Sequence, residues 1–153
     1  MKIADILDLN NIITAVKAGN KNRVIEELVE VMVENHPSLD KDELIKVLLE
    51  RERLGSTGIG DGVAIPHGKF PGISAPILSF GRSEKGLDFD TMDGQPAHLF
   101  FLLVAPEDSA SIHLKALARI AKILKNDSFR KQLMDVSSRE EIYKVITHDD
   151  EEF

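Results

Sequence analysis

Hydrophobic positions near the start of the chain repeat with the period of an α-helix. Between Asn22 and Glu34 the apolar residues are spaced three or four apart, and the glutamates lie largely on the opposite face. The pair His36-Pro37 should end this helix, because a proline disfavours helical backbone in the residue before it. The pattern predicts an amphipathic helix whose buried face consists of Val24, Ile25, Leu28, Val29 and Met32.

A second helical pattern begins after Asp40. We expect Asp40 to accept hydrogen bonds from the first-turn amides and Glu43 to reach back to the Asp40 amide, which together form a capping box. Gly55 is predicted to end this helix, because glycine readily takes the left-handed conformation that often follows a helix. The buried stripe of the helix is predicted to be Leu44, Ile45, Leu48 and Leu49.

After the second helix the pattern changes to short apolar runs typical of β-strands. The segments 63–65 and 77–80 are two such runs. The segment 99–104 is apolar throughout, which is typical of a strand covered on both faces. A central sheet with helices on both sides is therefore predicted.

The last third of the chain returns to helical periodicity. Ser111 is predicted to cap a helix, and two further helical patterns follow at 129–134 and 142–146. Ser137 and Ser138, each three residues before a glutamate, are candidate caps for the last one. The order of elements, helices then strands then helices, predicts one α/β (α+β) domain spanning residues 1–153.

Charge and composition narrow the classes of function. The chain has 153 residues and a net charge of -7, which argues against a nucleic-acid partner. It has no cysteine, so disulfides, thiolate metal sites and cysteine nucleophiles are excluded. Because the first residues are interrupted by charge and no apolar run approaches the length of a membrane span, we expect a cytoplasmic protein without direct membrane insertion.

The strongest chemical signal is a glycine-rich loop at 55–62, which holds four of the ten glycines. Such a loop can point successive backbone N–H groups at an anion, although a flexible turn has the same composition. The spacing matches neither a dinucleotide fingerprint nor a Walker A loop. The residues predicted to surround a phosphate group are Ser56, Thr57, Gly58, Gly60, Gly62 and Gly68.

His67 follows this loop and is the main candidate for chemistry. Pro66 restricts the backbone before it and Gly68 removes bulk after it, so its imidazole should be presented rigidly. A neutral imidazole has a nitrogen lone pair that can attack phosphorus. The alternative interpretation is a buried structural histidine.

His113 is a second candidate, because it lies in the first turn of a predicted helix and on or beside its buried stripe. A helix N-terminus disfavours imidazolium, so we expect a neutral ring that donates one N–H; a histidine at the edge of the core remains the alternative. No metal or cofactor is expected, since no two of the five histidines have the i, i+4 spacing of a helical metal site. A serine hydrolase built on Ser56 and His67 is disfavoured, because no G-x-S-x-G sequence is present.

The segment 55–69, with Leu48 to Glu52 before it and Ile112 to Leu114 after the predicted sheet, resembles the fructose/mannitol-type enzyme IIA of the bacterial phosphoenolpyruvate-dependent phosphotransferase system. The resemblance is closest to the nitrogen-regulatory branch and covers nearly the whole chain. It implies a mixed central β-sheet sandwiched between helices. It also implies that His67 is phosphorylated, and that Arg51 and His113 are the active-site arginine and second histidine.

The resemblance further implies a phosphocarrier whose donor is the HPr-type phosphocarrier protein or its nitrogen-branch paralogue. Its acceptor or partner would be a regulated target protein, or a IIB domain whose cysteine passes the group to a fructose- or mannitol-like sugar. The absence of a fused IIB segment favours the regulatory version; a degenerate binding module is a third possibility. Many relatives carry asparagine at the position of Asp61, so we expect Asp61 to point away from the phosphate. Ile59 and Phe70 are expected on the rim of the site.

Overall fold

A computed structural model describes residues 1–153. The chain forms six strands and five α-helices, preceded by a short 3₁₀ helix at Ile3–Asp5. In chain order they are β1 (Leu7–Ile13), α1 (Lys21–Asn35), α2 (Lys41–Arg53), β2 (Gly58–Gly60), β3 (Val63–Ala64), β4 (His67–Phe70), β5 (Ile77–Leu87), β6 (Ala97–Pro106), α3 (Ala110–Leu124), α4 (Asp127–Asp135) and α5 (Arg139–Thr147).

The six strands make one mixed sheet with the order β1-β5-β6-β3-β2. Strand β5 runs antiparallel to β6, whereas β1 runs parallel to β5 and β3 runs parallel to β6. Strand β4 also pairs with β6 in parallel, further along it than β3. The mixed sheet expected from the resemblance is therefore confirmed. No helix is both long enough and apolar enough to cross a bilayer.

Helices cover both faces of the sheet, and each face has its own hydrophobic core. Alternate residues of β6 point to opposite faces, so Phe100 and Leu102 join the core beneath α1 and α2, while Phe101 and Leu103 join the core beneath α3, α4 and α5. All four side chains are fully buried. The prediction that this strand is covered on both faces is confirmed.

The predicted order of elements is wrong at its start, because β1 precedes the first helix. Strand β1 carries polar residues at its centre, including Asn10 and Asn11, which hide the alternation of a strand. Asn11 is nevertheless buried, and its side-chain amide donates to the Leu78 carbonyl of β5. Strand β5 is also longer than the predicted segment 77–80. The second half of the strand is polar and partly exposed, so it lacks the apolar run on which the prediction was based.

Several helix ends differ from the predicted ones. Helix α2 ends at Arg53, and the next residue, Leu54, still has helical backbone. Gly55 has a φ of 158°, so it does not adopt the left-handed conformation predicted for it. Ser109, rather than Ser111, precedes the first turn of α3, and its side chain makes no capping bond. The Asp40 side chain accepts from the amide of Glu43 as predicted, but the return bond of a capping box is missing. Ser138 does form the predicted capping box at α5.

Candidate functional site

His67 is the first residue of β4, and its side chain is half-buried. Its Nδ1 lies 2.7 Å from the carbonyl oxygen of Ile65. Because a carbonyl can only accept, the proton of the neutral ring resides on Nδ1, and Nε2 keeps its lone pair. Burial lowers the pKa of His67, the Ile65 carbonyl opposes this, the Arg51 charge lowers the pKa further, and the Glu52 charge raises it. The ring is therefore neutral at neutral pH, and the lone pair on Nε2 could serve as a nucleophile.

His113 lies beside His67, with the ring centroids 5.5 Å apart and the ring planes at 78° to each other. It belongs to the first turns of α3, and its Nε2 is buried without a hydrogen-bond partner. Burial, followed by the charges of His67 and Lys69, lowers the pKa of His113 to about 4. The structure thus brings together the two predicted histidines, and the second one offers an unpaired polar atom at the site.

The lowered pKa of His113 predicts a loss of stability in mild acid. The unfolded chain binds this proton near pH 6.5 and the folded protein only near about pH 4, so the free energy of unfolding should fall as the pH drops through that window. One such group changes the free energy of unfolding by at most ~1.4 kcal/mol per pH unit. Urea unfolding at a series of pH values should show a weaker dependence in His113→Asn, and an unchanged dependence would contradict the burial of a neutral ring.

Arg51 lies in the last turn of α2, and its Nη1 donates to the Gly55 carbonyl over 2.8 Å. This is its single hydrogen bond, so the other N–H groups of the guanidinium are free to bind an anion. Its charge lowers the pKa of His67, so the two side chains are near enough to interact electrostatically. Arg53, the other arginine of this turn, is exposed.

The structure adds Glu52, to which the sequence reasoning gave no role. Its side chain is 4% exposed, accepts from the backbone N–H of Thr57 over 3.1 Å and from the Thr57 hydroxyl, and forms an ion pair of 2.9 Å with Lys21. The signal was present, because Glu52 continues the buried spacing of Leu44 and Leu48 by another four residues. A carboxylate in the buried stripe of a helix requires partners.

The predicted phosphate-binding loop is internally bonded. The Thr57 amide donates to Glu52, and the Gly58 amide donates to the Ser56 hydroxyl oxygen over 3.0 Å. That hydroxyl in turn donates to the Phe89 carbonyl over 2.8 Å. The amides of Thr57 and Gly58 are therefore not available to a ligand, which corrects the prediction that these two residues point free N–H groups at a phosphate; at Ser56 it is the hydroxyl that is bonded within the loop.

Gly60 and Gly62 lie at the far end of the loop from His67. Both have positive φ, 97° and 78°, and they form the turn between β2 and β3. Val63 and His67 pair with residues of β6 that are four apart, a separation of ~13 Å along the strand. A group on His67 is therefore beyond the reach of the Gly60 and Gly62 amides, and the predicted role of these glycines is corrected to a turn.

The face of β4 that meets α2 contains Gly68 and Phe70. A Cβ at Gly68 would lie 3.3 Å from side-chain atoms of both Val47 and Leu48, so this glycine allows α2 to approach the strand. Phe70 is 7% exposed and belongs to the core beneath α1 and α2, so its predicted place on the rim is wrong. Successive residues of a strand face opposite ways, and His67 accordingly faces the side of α3.

Asp61 also occupies the β2–β3 turn, with a φ of 56°. Its backbone N–H donates to a carboxylate oxygen of Asp93 over 2.9 Å, and this bond is the largest cause of a lowered pKa at Asp93. Asp61 itself is exposed. It therefore lies in the turn and away from His67, as expected.

Four large apolar side chains are exposed near the loop and the helix ends that form the site. Leu54 follows α2, Leu114 follows the second histidine, and Ile59, a predicted rim residue, lies in β2. Met92 is the fourth, and it lies beside the loop because its backbone amide donates to the carbonyl of Gly58. These residues, which we call the apolar quartet, have exposures from 43% at Ile59 to 86% at Leu54.

Comparison with known proteins connects the chain to one family. Residues 5–149 match the family described as phosphoenolpyruvate-dependent sugar phosphotransferase system, EIIA 2. The chain is 40% identical to the nitrogen regulatory protein of Bradyrhizobium diazoefficiens over 146 residues, which cover 95% of each chain. It is 38% identical over 150 residues to the fructose-specific EIIABC component of Bacillus subtilis, covering 98% of this chain but only 24% of that protein.

Solved structures of phosphotransferase-system IIA proteins have the same fold as this chain. The crystal structure of the nitrogen regulatory protein IIA-Ntr from Neisseria meningitidis superposes with a TM-score of 0.88 at 39% identity, covering 95% of this chain and 99% of that one. Enzyme IIA of the mannitol system of Escherichia coli, in a complex with phosphorylated enzyme IIB, has the same fold with a TM-score of 0.77 at 20% identity, covering 94% and 99%. The chain therefore belongs to the EIIA 2 family of the phosphoenolpyruvate-dependent phosphotransferase system.

Proposed function

We propose that the chain, acting as one unit over residues 1–153, is a cytoplasmic histidine phosphocarrier with a regulatory role. His67 accepts a phosphoryl group from the phosphohistidine of an HPr-type carrier. The single observation that carries this proposal is the hydrogen bond from Nδ1 of His67 to the Ile65 carbonyl, which leaves Nε2 with its lone pair beside the unpaired Nε2 of His113.

The chemistry needs few groups. The lone pair of Nε2 of His67 attacks phosphorus, the nitrogen–phosphorus bond of the donor breaks, and the donor imidazole leaves with that electron pair. Charge on the three phosphoryl oxygens then requires hydrogen-bond donors. The free N–H groups of Arg51 and a proton on Nε2 of His113 supply them, and no metal ion is needed in this scheme.

The apolar quartet supports a protein donor. Two of its members, Leu54 and Leu114, follow Arg51 and His113 closely in the chain, and exposed apolar side chains near a reactive group are typical of a small transient interface. The chain as a whole has a net charge of -7, which favours a donor whose contact surface is basic. An HPr-type carrier with a basic and apolar surface around its phosphohistidine fits both properties.

Relatives named nitrogen regulatory protein match this chain over nearly their full length, which supports regulation as the outcome of phosphorylation. A second candidate function is transport, in which His67 passes the phosphoryl group to a cysteine of a IIB domain. The similarity to a fructose-specific EIIABC component supports that candidate.

Incubation with phosphoenolpyruvate, enzyme I and each HPr-type carrier in turn tests the proposal. The intact mass should rise by one phosphoryl group, and the transfer rates should rank the carriers as donors. A mass that stays unchanged with every carrier would refute a phosphocarrier function. Transfer onward to an added IIB domain, at a rate comparable with uptake from the donor, would favour the transport candidate.

Phosphorylation should also change which proteins bind. A phosphoryl group adds about 1.5 to 2 negative charges at His67, in the middle of a chain that is already acidic. Affinity for partners that present arginine or lysine should rise and affinity for acidic or apolar partners should fall. Quantitative binding to the phosphorylated protein and to His67→Ala measures this change, and an identical set of partners for both would leave phosphoryl relay as the better account.

A further inference from the structure

Glu52 is a buried carboxylate that the proposed transfer does not use. Its side chain is 4% exposed, and removing a carboxylate from water is costly unless several donors bind it. Three donors do so: the amide and the hydroxyl of Thr57, and the ammonium group of Lys21. Lys21 is the first residue of α1 and also lies 5.0 Å from the ring centre of Phe89. The charge is thus fully paired, and the pairing converges on the loop before His67.

A continuous chain of hydrogen bonds runs from this carboxylate to the imidazole of His67. Thr57 donates twice to Glu52, and the Thr57 carbonyl accepts from the amide of Ile65 over 3.0 Å. The Ile65 carbonyl then accepts from Nδ1 of His67 over 2.7 Å. Each link determines the position of the next, because Thr57 and Ile65 both use their backbone N–H on the side of Glu52 and their carbonyl on the side of His67.

We propose that Glu52 is a positioning residue for His67, which acts through Thr57 and Ile65 to hold the imidazole in the Nδ1–H form with Nε2 directed for phosphoryl transfer. This inference rests on the proposed phosphocarrier function. The carboxylate holds Thr57 in the pairing that places the Ile65 carbonyl against Nδ1. That carbonyl then selects which ring nitrogen keeps the lone pair.

The position of Glu52 in sequence supports this role. Glu52 follows Arg51 directly in the last turn of α2. That turn therefore supplies both Arg51, which has free N–H donors, and Glu52, which binds Thr57 of the loop. The two side chains also have opposite effects on His67, because the charge of Glu52 raises its pKa whereas the charge of Arg51 lowers it. A carboxylate that served only to join α1 to α2 would need Lys21, but it would not need two bonds to Thr57.

The test compares Glu52→Gln and Thr57→Val with the matched control Glu50→Gln. Glu50 lies two residues before Glu52 on α2, is exposed and has no ion pair or side-chain hydrogen bond. Glu52→Gln keeps the shape of the side chain and removes the charge, whereas Thr57→Val removes one hydroxyl. Long-range ¹H–¹⁵N NMR spectra report the tautomer of His67, and rapid-quench kinetics report the phosphorylation rate at saturating donor.

Both Glu52→Gln and Thr57→Val should lower the fraction of the Nδ1–H tautomer and slow phosphorylation by about 10-fold, with little change in the donor concentration at half-maximal rate. In Glu52→Gln the pKa of His67 should also fall. Glu50→Gln should behave as the wild type. Circular dichroism establishes that each variant is folded, and if Glu52→Gln is not, Thr57→Val decides the question.

Wild-type tautomer populations and rates in folded Thr57→Val and Glu52→Gln would overturn the proposal. Slower transfer with an unchanged tautomer would also overturn it, since the effect would then be one of charge alone. The tautomer measurement needs no donor. If no carrier phosphorylates the wild type, the phosphocarrier function fails, while the NMR result still decides whether Glu52 positions the ring.

Discussion

His67→Ala is expected to take up no phosphoryl group from any HPr-type carrier, while its stability remains close to that of the wild type. The variant removes Nε2 of His67, whose lone pair is free because Nδ1 donates its proton to the Ile65 carbonyl, and which we propose attacks phosphorus. The side chain is only half-buried, so its loss should leave both cores intact. Intact mass after incubation with enzyme I, carrier and phosphoenolpyruvate measures the result, and urea unfolding checks the fold.

The control for this prediction is His113→Ala, which keeps the proposed nucleophile and removes a proposed donor to the phosphoryl oxygens. We expect slower phosphorylation that still reaches completion. If His67→Ala gains the mass of a phosphoryl group and peptide mapping places it on His113, the assignment of the nucleophile is wrong.

Arg51→Ala is expected to slow phosphoryl transfer by about 10² to 10³, because losing one charged donor to a developing oxyanion costs ~2 to 4 kcal/mol of transition-state stabilisation. The guanidinium has one protein partner, the Gly55 carbonyl, so its truncation should cost little stability. Rapid-quench measurement of the phosphorylation rate at saturating donor tests this prediction.

Arg53→Ala is the matched control, since Arg53 lies in the same turn of α2 and is exposed. Its loss should weaken general attraction to the donor only slightly. Equal losses in the two variants would show that charge near the end of the helix matters, and that Arg51 makes no specific contact with the phosphoryl group.

The helices were predictable because their local signals agree with their packing. In α1 the apolar residues spaced three and four apart are the ones that are buried. At α5 Ser138 and Glu141 form a capping box whose four-residue spacing can be recognised in the sequence. Strand β6 was recognisable for a related reason, since a run of residues that are all apolar leaves no face for water.

Strand β1 and the short strand β2 of the loop were not predictable in this way. A buried asparagine in β1 is stabilised by the carbonyl of Leu78, a residue 67 positions away, and no local pattern reports that partner. In the loop, a Cβ at Gly58 would lie 2.7 Å from the Thr91 side chain, so this glycine is explained by the approach of a distant segment. Glycine content suggested an anion-binding loop, whereas tertiary contacts account for these glycines.

The sequence by itself determined the family, because residues 5–149, which include the segment from Gly55 to Lys69, match it, and it predicted His67 as the reactive residue and phosphoryl transfer as its chemistry. It also indicated Arg51 and His113 through that resemblance. Only the tertiary structure showed which ring nitrogen of His67 is free, that His113 lies against the ring, and that Glu52 is buried and bonded to the loop. These contacts depend on how α2 and α3 pack against β4 and the loop, which residue spacing along the chain does not contain.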